Sequence, residues 1–379
     1  MTLRPSALSD KWPRVPLGEA VEFLDHRRKP ITASDRVAGP YPYYGANGQQ
    51  DSVAEYLFDE PLILLAEDGG HFDDPSRGVA YGVTGKCWVN NHAHVLRPRS
   101  MFDFRFLCWH LAYYDISEFV NGTTRAKLTK SAAEQIPVML PPLSEQRRIA
   151  DILDKADAIR RKRKEAITLT EELLRSAFLE MFGDPVTNPK GWPVKALGEL
   201  GRVTTGRTPP SAAPGMFNGP VPFVTPGDLG SREPVRRSLT VDGARESRVV
   251  RAGAALVCCI GATIGKMAKA PNELAFNQQI NAIEWHSLVN DDFGITVLRF
   301  LKTRIAASAS STTLPILNKS SFEKLEIPVP PVAQQTLFSR RAEVCRKVSE
   351  AQEQTLSQAD TFFNSLVARA FSGALGSAR

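Results

Sequence analysis

Two stretches of this chain concentrate side chains that hydrogen-bond in forked or planar geometry. In the first, Asp25-His26-Arg27-Arg28-Lys29-Pro30 is followed by Tyr41-Pro42-Tyr43-Tyr44-Gly45-Ala46-Asn47-Gly48. In the second, Thr204-Thr205-Gly206-Arg207-Thr208-Pro209-Pro210 is followed by Val221-Pro222-Phe223-Val224-Thr225-Pro226-Gly227-Asp228. Further on, Trp88-Val89-Asn90-Asn91-His92-Ala93-His94 is answered by Ala275-Phe276-Asn277-Gln278-Gln279-Ile280-Asn281. Arginine, asparagine and glutamine match the edges of bases, and arginine, lysine, threonine and tyrosine reach phosphates. The candidate contacts to nucleic acid in the first stretch are Arg27, Arg28, Lys29, Tyr43, Tyr44, Asn47, Asn91, His92, His94 and Lys127. In the second they are Arg207, Thr208, Thr225, Asp228, Arg236, Arg237, Gln278, Gln279 and Asn281. Asn90 and Asn277 have two readings, as contacts or as buried residues that close a turn.

Catalytic signals fail on inspection. Gly261-Ala262-Thr263-Ile264-Gly265-Lys266 is one residue short of a phosphate-binding loop and is followed by Met267, where Ser or Thr is needed for Mg²⁺; it reads as a strand and turn. His92 and His94 share a strand face, but no further His or Cys at zinc spacing joins them. The acidic run from Glu67 to Asp74 lacks the alternating oxygen ligands of a calcium loop and reads as a surface turn. The chain has neither a Gly-x-Ser-x-Gly elbow nor a dinucleotide fingerprint. An amino-methyltransferase tetrapeptide, Asn- or Asp-Pro-Pro-aromatic, is also missing, because the Pro-Pro pairs follow Leu140, Thr208 and Val329. The sequence therefore predicts no catalytic, cofactor or metal residues.

The elements that must position these residues come in two cycles. Trp12-Pro13…Leu17-Gly18-Glu19 returns as Trp192-Pro193…Leu197-Gly198-Glu199. Thr123-Thr124, Lys130-Ser131 and Pro141-Pro142 return as Thr312-Thr313, Lys319-Ser320 and Pro330-Pro331. Within the first cycle, short apolar runs (Pro61–Ala66, Val79–Val83, Cys87–Val89, His94–Leu96) alternate with Gly- and Asn-rich turns, and a helix is expected over Phe104–Tyr114. After each Pro-Pro the periodicity turns helical. Residues 144–182 read as one helix of roughly 57 Å, capped by Ser144 and ended by Gly183 and Pro185. Residues 332–372 read as a second. Heptad spacing nominates Ile149, Ile152, Ile159, Leu173, Val344, Val348, Phe362 and Leu366 for helix pairing, with Leu153, Ile167 and Leu174 widening the stripe on one side. The two stripes bury each other in an antiparallel coiled coil, or each packs on its own globule. The expected divisions are a tail over 1–11, a globule over 12–142, a central helix over 143–185, a second globule over 186–331 and a C-terminal helix over 332–379. The fold class is α+β (mixed α/β), with a pseudo-two-fold internal repeat.

A chain of 379 residues accommodates two such cores. No apolar run approaches the length of a membrane span, and Arg4, Asp10 and Lys11 enclose no signal-peptide core. Five cysteines without metal spacing suit a reducing cytoplasm. Net charge is +6, and Arg202–Arg251 holds eight arginines and no lysine. Arginine suits bidentate contact with guanine and phosphate, although a solvated basic surface has the same composition. The run Arg160-Arg161-Lys162-Arg163-Lys164 reads as a solvated helix face or as a contact to phosphate or a partner.

The double cycle resembles the specificity subunit of type I restriction–modification systems. The motifs that carry the resemblance are Trp-Pro…Leu-Gly-Glu, Pro-Pro-Leu-Ser-Glu-Gln-Arg-Arg-Ile-Ala at 141–150, and the helix exit Phe182-Gly183-Asp184-Pro185 before the return at Trp192. Tyr41–Gly48 and Trp88–Leu96 resemble that family's target recognition domains. The second cycle departs in two places: Ser144-Glu145-Gln146 becomes Ala333-Gln334-Gln335, and a Gly-Asp-Pro exit is missing after the second helix. The resemblance implies a non-catalytic DNA-reading subunit. Each recognition domain would read half of a split, asymmetric site, with the helices setting the spacer. Methylation and S-adenosylmethionine would belong to partner methyltransferase subunits, typically two, while ATP and Mg²⁺ would belong to a restriction subunit. A self-sufficient DNA-acting enzyme and a protein–protein scaffold are the alternatives.

Overall fold

The computed structural model describes residues 8–72, 78–122, 126–210, 214–231, 233–310 and 315–375. Arg4, Asp73-Asp74 and the repeated pairs Thr123-Thr124 and Thr312-Thr313 lie outside them. The chain divides into two compact units, 1–165 with 353–379, and 166–352.

The first unit runs β1 (Arg14–Pro16), α1 (Leu17–Ala20), β2 (Val21–Phe23), β3 (Ala38–Gly45), β4 (Gly48–Val53), β5 (Phe58–Asp59), β6 (Leu62–Ala66), β7 (Ala80–Val83), β8 (Lys86–Val89), β9 (Ala93–Pro98), α2 (Phe104–Tyr113), α3 (Lys130–Ala133) and β10 (Pro137–Met139), then enters α4 (Leu143–Phe182). Its sheets have the orders β2-β9-β6-β7 and β4-β3-β8-β5, and β1 pairs with β10. Strands β3 and β8 run parallel, with Tyr43 opposite Trp88. Strand β6 is buried on both faces, and the strand period of two divides its side chains. Ile63 and Leu65 join the core under α2. Leu62 and Leu64 join Phe58, Cys87, Val89 and Val95 on the other face.

The second unit runs β11 (Val194–Ala196), α5 (Leu197–Leu200), β12 (Gly201–Thr205), β13 (Phe217–Val224), β14 (Ser238–Leu239), α6 (Val241–Glu246), β15 (Val249–Val250), β16 (Ala255–Cys258), β17 (Met267–Lys269), β18 (Leu274–Phe276), β19 (Ile280–Trp285), α7 (Asp291–Phe300), α8 (Lys302–Ala307), α9 (Lys319–Glu323) and β20 (Glu326–Pro328), then α10 (Val332–Phe371). Its sheets are β12-β19-β16-β17 and β14-β13-β18-β15, and β11 pairs with β20. The strand order of the first unit is thus repeated strand for strand, including the parallel pair, now β13 with β18. Strand β16 divides its side chains as β6 does, with Ala255 and Val257 in one cluster and Leu256 and Cys258 in another.

Helices α4 and α10 are each 40 residues long. In the first unit, Ile149, Ala150, Leu153 and Ala156 of α4 share a core with Phe363, Leu366, Val367, Ala370 and Phe371 of α10. Arg160 donates to Asp360 at 2.6 Å, and its guanidinium lies 4.3 Å from the centroid of the Phe363 ring. In the second unit, Phe178 and Phe182 pack edge-on against Phe338, with centroids 5.4 and 5.6 Å apart. Thr170 donates to Gln352 at 3.1 Å. Within each unit the contacts climb one helix as they descend the other, so the pairing is antiparallel. Each helix segment also packs on its globule.

The heptad nominations need correction. Ile149 and Leu366 are buried, and Ile152 packs against their cluster. Ile159, Leu173, Val344, Val348 and Phe362 are exposed, from 43% for Val348 to 62% for Leu173 and Phe362. A straight helix drifts roughly 20° per heptad, so a seven-residue repeat slides off the core face within a few turns. The buried face of α4 instead follows Ile149, Leu153, Ala156, Ile167, Phe178 and Phe182, a mixture of three-, four- and eleven-residue steps that stays closer to the 3.6-residue turn than a strict heptad does. Leu153 and Ile167, read from the sequence as a flank, belong to this core face. Helix α4 also begins at Leu143, which puts Ser144 inside the first turn.

Candidate nucleic-acid interface

The first constellation separates into an internal half and an external half. Arg28 is drawn inward. It donates to the Ala93 carbonyl at 2.8 Å and meets Glu67 at 2.5 Å and Asp25 at 3.7 Å, with only 15% of its side chain exposed. His94 is 1% exposed and bridges Asp25 (2.7 Å) to the Leu128 carbonyl (2.9 Å). Lys127 joins the same cluster, 2.9 Å from Glu67. Burial alone would raise Asp25 and Glu67. Asp25 is nevertheless held below the ordinary carboxylate value by His94, the Val95 N–H and Arg28, and Glu67 by Lys127, Arg28 and His94. Asp25, Glu67 and His94 each bring one potential ligand atom within 4.8 Å of the others. The charge a metal ion would neutralise there is already met by Arg28 and Lys127.

Tyr43 is 1% exposed, and its hydroxyl accepts from the Ile31 N–H at 3.1 Å. Arg36 lies over its ring, 4.3 Å from the centroid. Arg28, Tyr43 and His94 therefore serve the fold, a correction to their reading as DNA contacts. His92 is half-buried and tied through Nδ1 to Asp68. Asn47 is exposed but fixed, donating to the Gly69 carbonyl at 2.8 Å. Tyr44 is half-buried beside Tyr81. Arg27 is exposed, reaching Glu60 at 3.4 Å and the Leu57 carbonyl at 2.8 Å. Lys29 and Asn91 are exposed, and the Lys29 carbonyl anchors the Trp88 indole N–H at 2.6 Å.

The second constellation is more open. Arg207 is exposed and has only a loose ion pair, 3.7 Å from Glu246. Thr208 donates to the exposed Gln278 at 2.7 Å, and Gln279 is half-buried beside them. Arg236 and Arg237 are exposed, and Arg237 lies 5.2 Å from the centroid of the Phe223 ring. Asp228 accepts from both the N–H and hydroxyl of Thr225, at 2.8 and 2.7 Å, which pins the start of the 225–231 loop. Asn281 is 2% exposed and accepts from Thr205 at 2.7 Å, so it too belongs to the fold.

Asn90 and Asn277 play one part in the two units. Each is buried. The N–H of Asn90 donates to the Tyr44 carbonyl and that of Asn277 to the Val224 carbonyl, both at 3.0 Å. Their side-chain oxygens accept from the N–H groups of His92 (2.8 Å) and Gln279 (3.2 Å). They close the turns that present their neighbours. Sequence reading passed over Lys266, Arg299 and Lys302, which meet at one cleft of the second unit; Lys266 was weighed only as part of a failed phosphate-loop pattern, and the other two are single cations on an amphipathic helix and the next. Among the described residues, no helix is long and apolar enough to cross a membrane.

A family model for the type I restriction modification DNA specificity domain matches twice, over residues 9–169 and 189–350. A Haemophilus influenzae protein named as a type I restriction enzyme specificity subunit is 31% identical over 335 residues, 84% of each chain. The MjaVIII specificity subunit of Methanocaldococcus jannaschii is 22% identical over 202 residues, 50% of this chain and 46% of that one. The S subunit structure from M. genitalium superposes with a TM-score of 0.62 at 14% identity, covering 98% of this chain and 99% of that one. A second solved chain, from work on assembly and conformational transition of the type I R-M system, gives 0.52 at 20% identity, covering 97% and 99%. Two matched domains, each with the same strand order and each paired with a long helix, place this chain in the type I restriction–modification DNA specificity family.

Proposed function

We propose that this chain is the non-catalytic DNA-reading subunit of a type I restriction–modification complex, and that each unit reads one half of a bipartite, asymmetric site. One observation carries the reading: the same fold occurs twice with the same topology, while the exposed polar residues differ, Arg27, Lys29 and Asn91 in the first unit against Arg207, Gln278, Arg236 and Arg237 in the second. Conserved architecture with divergent surface chemistry is what two readers of different sequences require. Phosphate contacts supply salt-dependent affinity, and base-edge contacts supply selectivity.

Helices α4 and α10 act as the ruler between half-sites, whose centres lie about one helical turn of DNA apart. Methylation is performed by partner methyltransferase subunits, two per complex, which carry S-adenosylmethionine and flip the target adenine out of the stack. A restriction subunit supplies ATP- and Mg²⁺-dependent cleavage. The apolar side chains left exposed on the helices, among them Val344, Val348 and Phe362, receive these partners. The complex works in the cytoplasm, where its DNA lies.

The test is single-molecule mapping of methylated adenines in the source genome with and without this gene. Loss of one split motif on deletion supports the reading. An unchanged methylome, or methyl transfer by the purified chain alone, overturns it.

A further inference from the structure

Gly261–Lys266, rejected above as a phosphate loop, leads into a different arrangement of cations. Its last residues, with Arg299 at the end of α7, Lys302 at the start of α8 and the 225–231 loop, line an open cleft of about 470 Å³ in the second unit. Gly265 takes φ +83°, and a Cβ there would lie 3.0 Å from Lys302 Cγ, so glycine both permits the turn and admits the lysine stem. Lys266, Arg299 and Lys302 are all exposed. Among the described residues no carboxylate lies within ion-pair distance of any of the three. Glu171 and Asp292 act on Arg299 from farther away, and Asp292 is already engaged by Lys269. Three cations without a direct ion pair, around glycine backbone at Gly230 and Gly265 and with Ser231 beside them, make a concave site for a tetrahedral oxyanion.

We infer that this cleft holds a backbone phosphate of bound DNA, a sequence-independent anchor for the second unit. The inference rests on the DNA-reading function proposed above and names residues for its electrostatic part. The source is a duplex and not a free nucleotide for two reasons. The cleft is open, as a polymer requires. Its 225–231 loop is also rooted where the Asn277 N–H meets the Val224 carbonyl at 3.0 Å, so one loop joins the reading turn to the anchor. Among the described residues the lining offers cations, glycine backbone and a hydroxyl, with no asparagine or glutamine to select adenine, a set that suits phosphate.

The experiment measures duplex binding by the assembled specificity–methyltransferase complex against KCl concentration, on the methylation-mapped site and on a scrambled duplex. The variants are K266Q/K302Q and R299Q, with R299K as the charge-preserving control. The expected result is an equal loss of about tenfold on both duplexes, a log–log salt slope shallower by about one, and an unchanged methylation motif. R299K should bind as wild type does. An unchanged slope, or a loss confined to the mapped site, overturns the inference. Binding of inorganic phosphate to the full chain that depends on Lys266, with duplex slopes unchanged, would reassign the cleft to a small ligand and also overturn it. Failure of the DNA-reading function itself shows separately, as a wild-type complex that does not distinguish the two duplexes.

Discussion

The carboxamide oxygen of Gln146 accepts the backbone N–H of Asp103 at 2.7 Å, and Gln335 repeats the bond with Asn290 at 2.8 Å. Asp103 and Asn290 are the N-caps of α2 and α7. The Gln146 amide also donates to the Met101 and Pro141 carbonyls (3.0 and 2.8 Å), and that of Gln335 to Leu288 and Pro330 (3.0 and 2.7 Å). Both glutamines are 0% exposed. Each fastens the first turn of a long helix to the cap of the globule's main helix, which is why Pro-Pro is followed four residues on by glutamine in both cycles.

Gln146→Glu should therefore destabilise the first unit more than Gln146→Leu. Glutamate puts an acceptor where two carbonyls expect a donor, whereas leucine only leaves them unpaired, at about 1–3 kcal/mol for each buried group. Urea unfolding of the purified chain measures both. Equal midpoints for the two variants would show that the glutamine only fills space.

His110 gives the fold an acid-sensitive point. It is 0% exposed, stacks on Tyr114 with centroids 5.5 Å apart, and meets the Phe371 ring edge-on at 5.3 Å. Neither ring nitrogen has a hydrogen-bond partner, and burial pushes its pKa down to about 3. Because the folded pKa lies below the unfolded one, the unfolded chain binds the extra proton. Stability is then complete above the ordinary histidine value and falls as pH drops from about 6.5 toward 3, by up to about 1.4 kcal/mol per unit. Seven residues past the other cap the matching position is Val297, an apolar solution of the same packing. His110→Leu should flatten the stability profile between pH 6.5 and 4 when melting temperature is followed against pH; a profile as steep as wild type would place the acid sensitivity elsewhere.

Arg28 and Arg207 look alike in sequence and should behave oppositely. Arg28→Ala removes one of two cations from a cluster of buried Glu67 and half-buried Asp25 and leaves the Ala93 carbonyl without its donor, so it should lower the melting temperature and cost about 3–5 kcal/mol of stability if the cluster behaves as a broken buried pair. Arg207→Ala removes an exposed side chain with one loose partner. It should leave melting unchanged and weaken duplex binding in the complex, by about 1–3 kcal/mol if it reads a guanine. Differential scanning fluorimetry and a binding titration on both variants separate the roles, and a reversed pattern would exchange them.

That contrast shows where the sequence is legible. Repetition is visible because the residues that repeat are those the fold cannot replace: Leu17-Gly18 and Leu197-Gly198, the proline pairs, and the glutamines after them. In each case Gly18 and Gly198 sit where a Cβ would press at 3.3 Å on Glu134 and Glu323. The strand runs were visible because β6 and β16 are apolar on both faces. The site was less legible because the same residue types serve the interior and the surface. Arg28, His94, Tyr43 and Asn281 became internal only when distant segments supplied Glu67, Leu128, Ile31 and Thr205. The helix stripe misled because a strict heptad and the 3.6-residue turn differ little over one or two turns and diverge over ten.

The ruler reading predicts how the site responds to changes in helix length. Adding one turn of four residues at Ala166 in α4, with a matching turn at Gln352 in α10, lengthens each helix by about 6 Å, or about two base pairs of duplex. Both insertions are needed because Thr170 meets Gln352 and Arg160 meets Asp360; lengthening one helix alone shifts every later pair by a turn. Methylation mapping of the double insertion should return the same two half-sites with a spacer longer by one or two base pairs. Single insertions should instead lose thermal stability and methylation together. Half-sites that change while the spacer stays constant would mean that the helices do not set the distance.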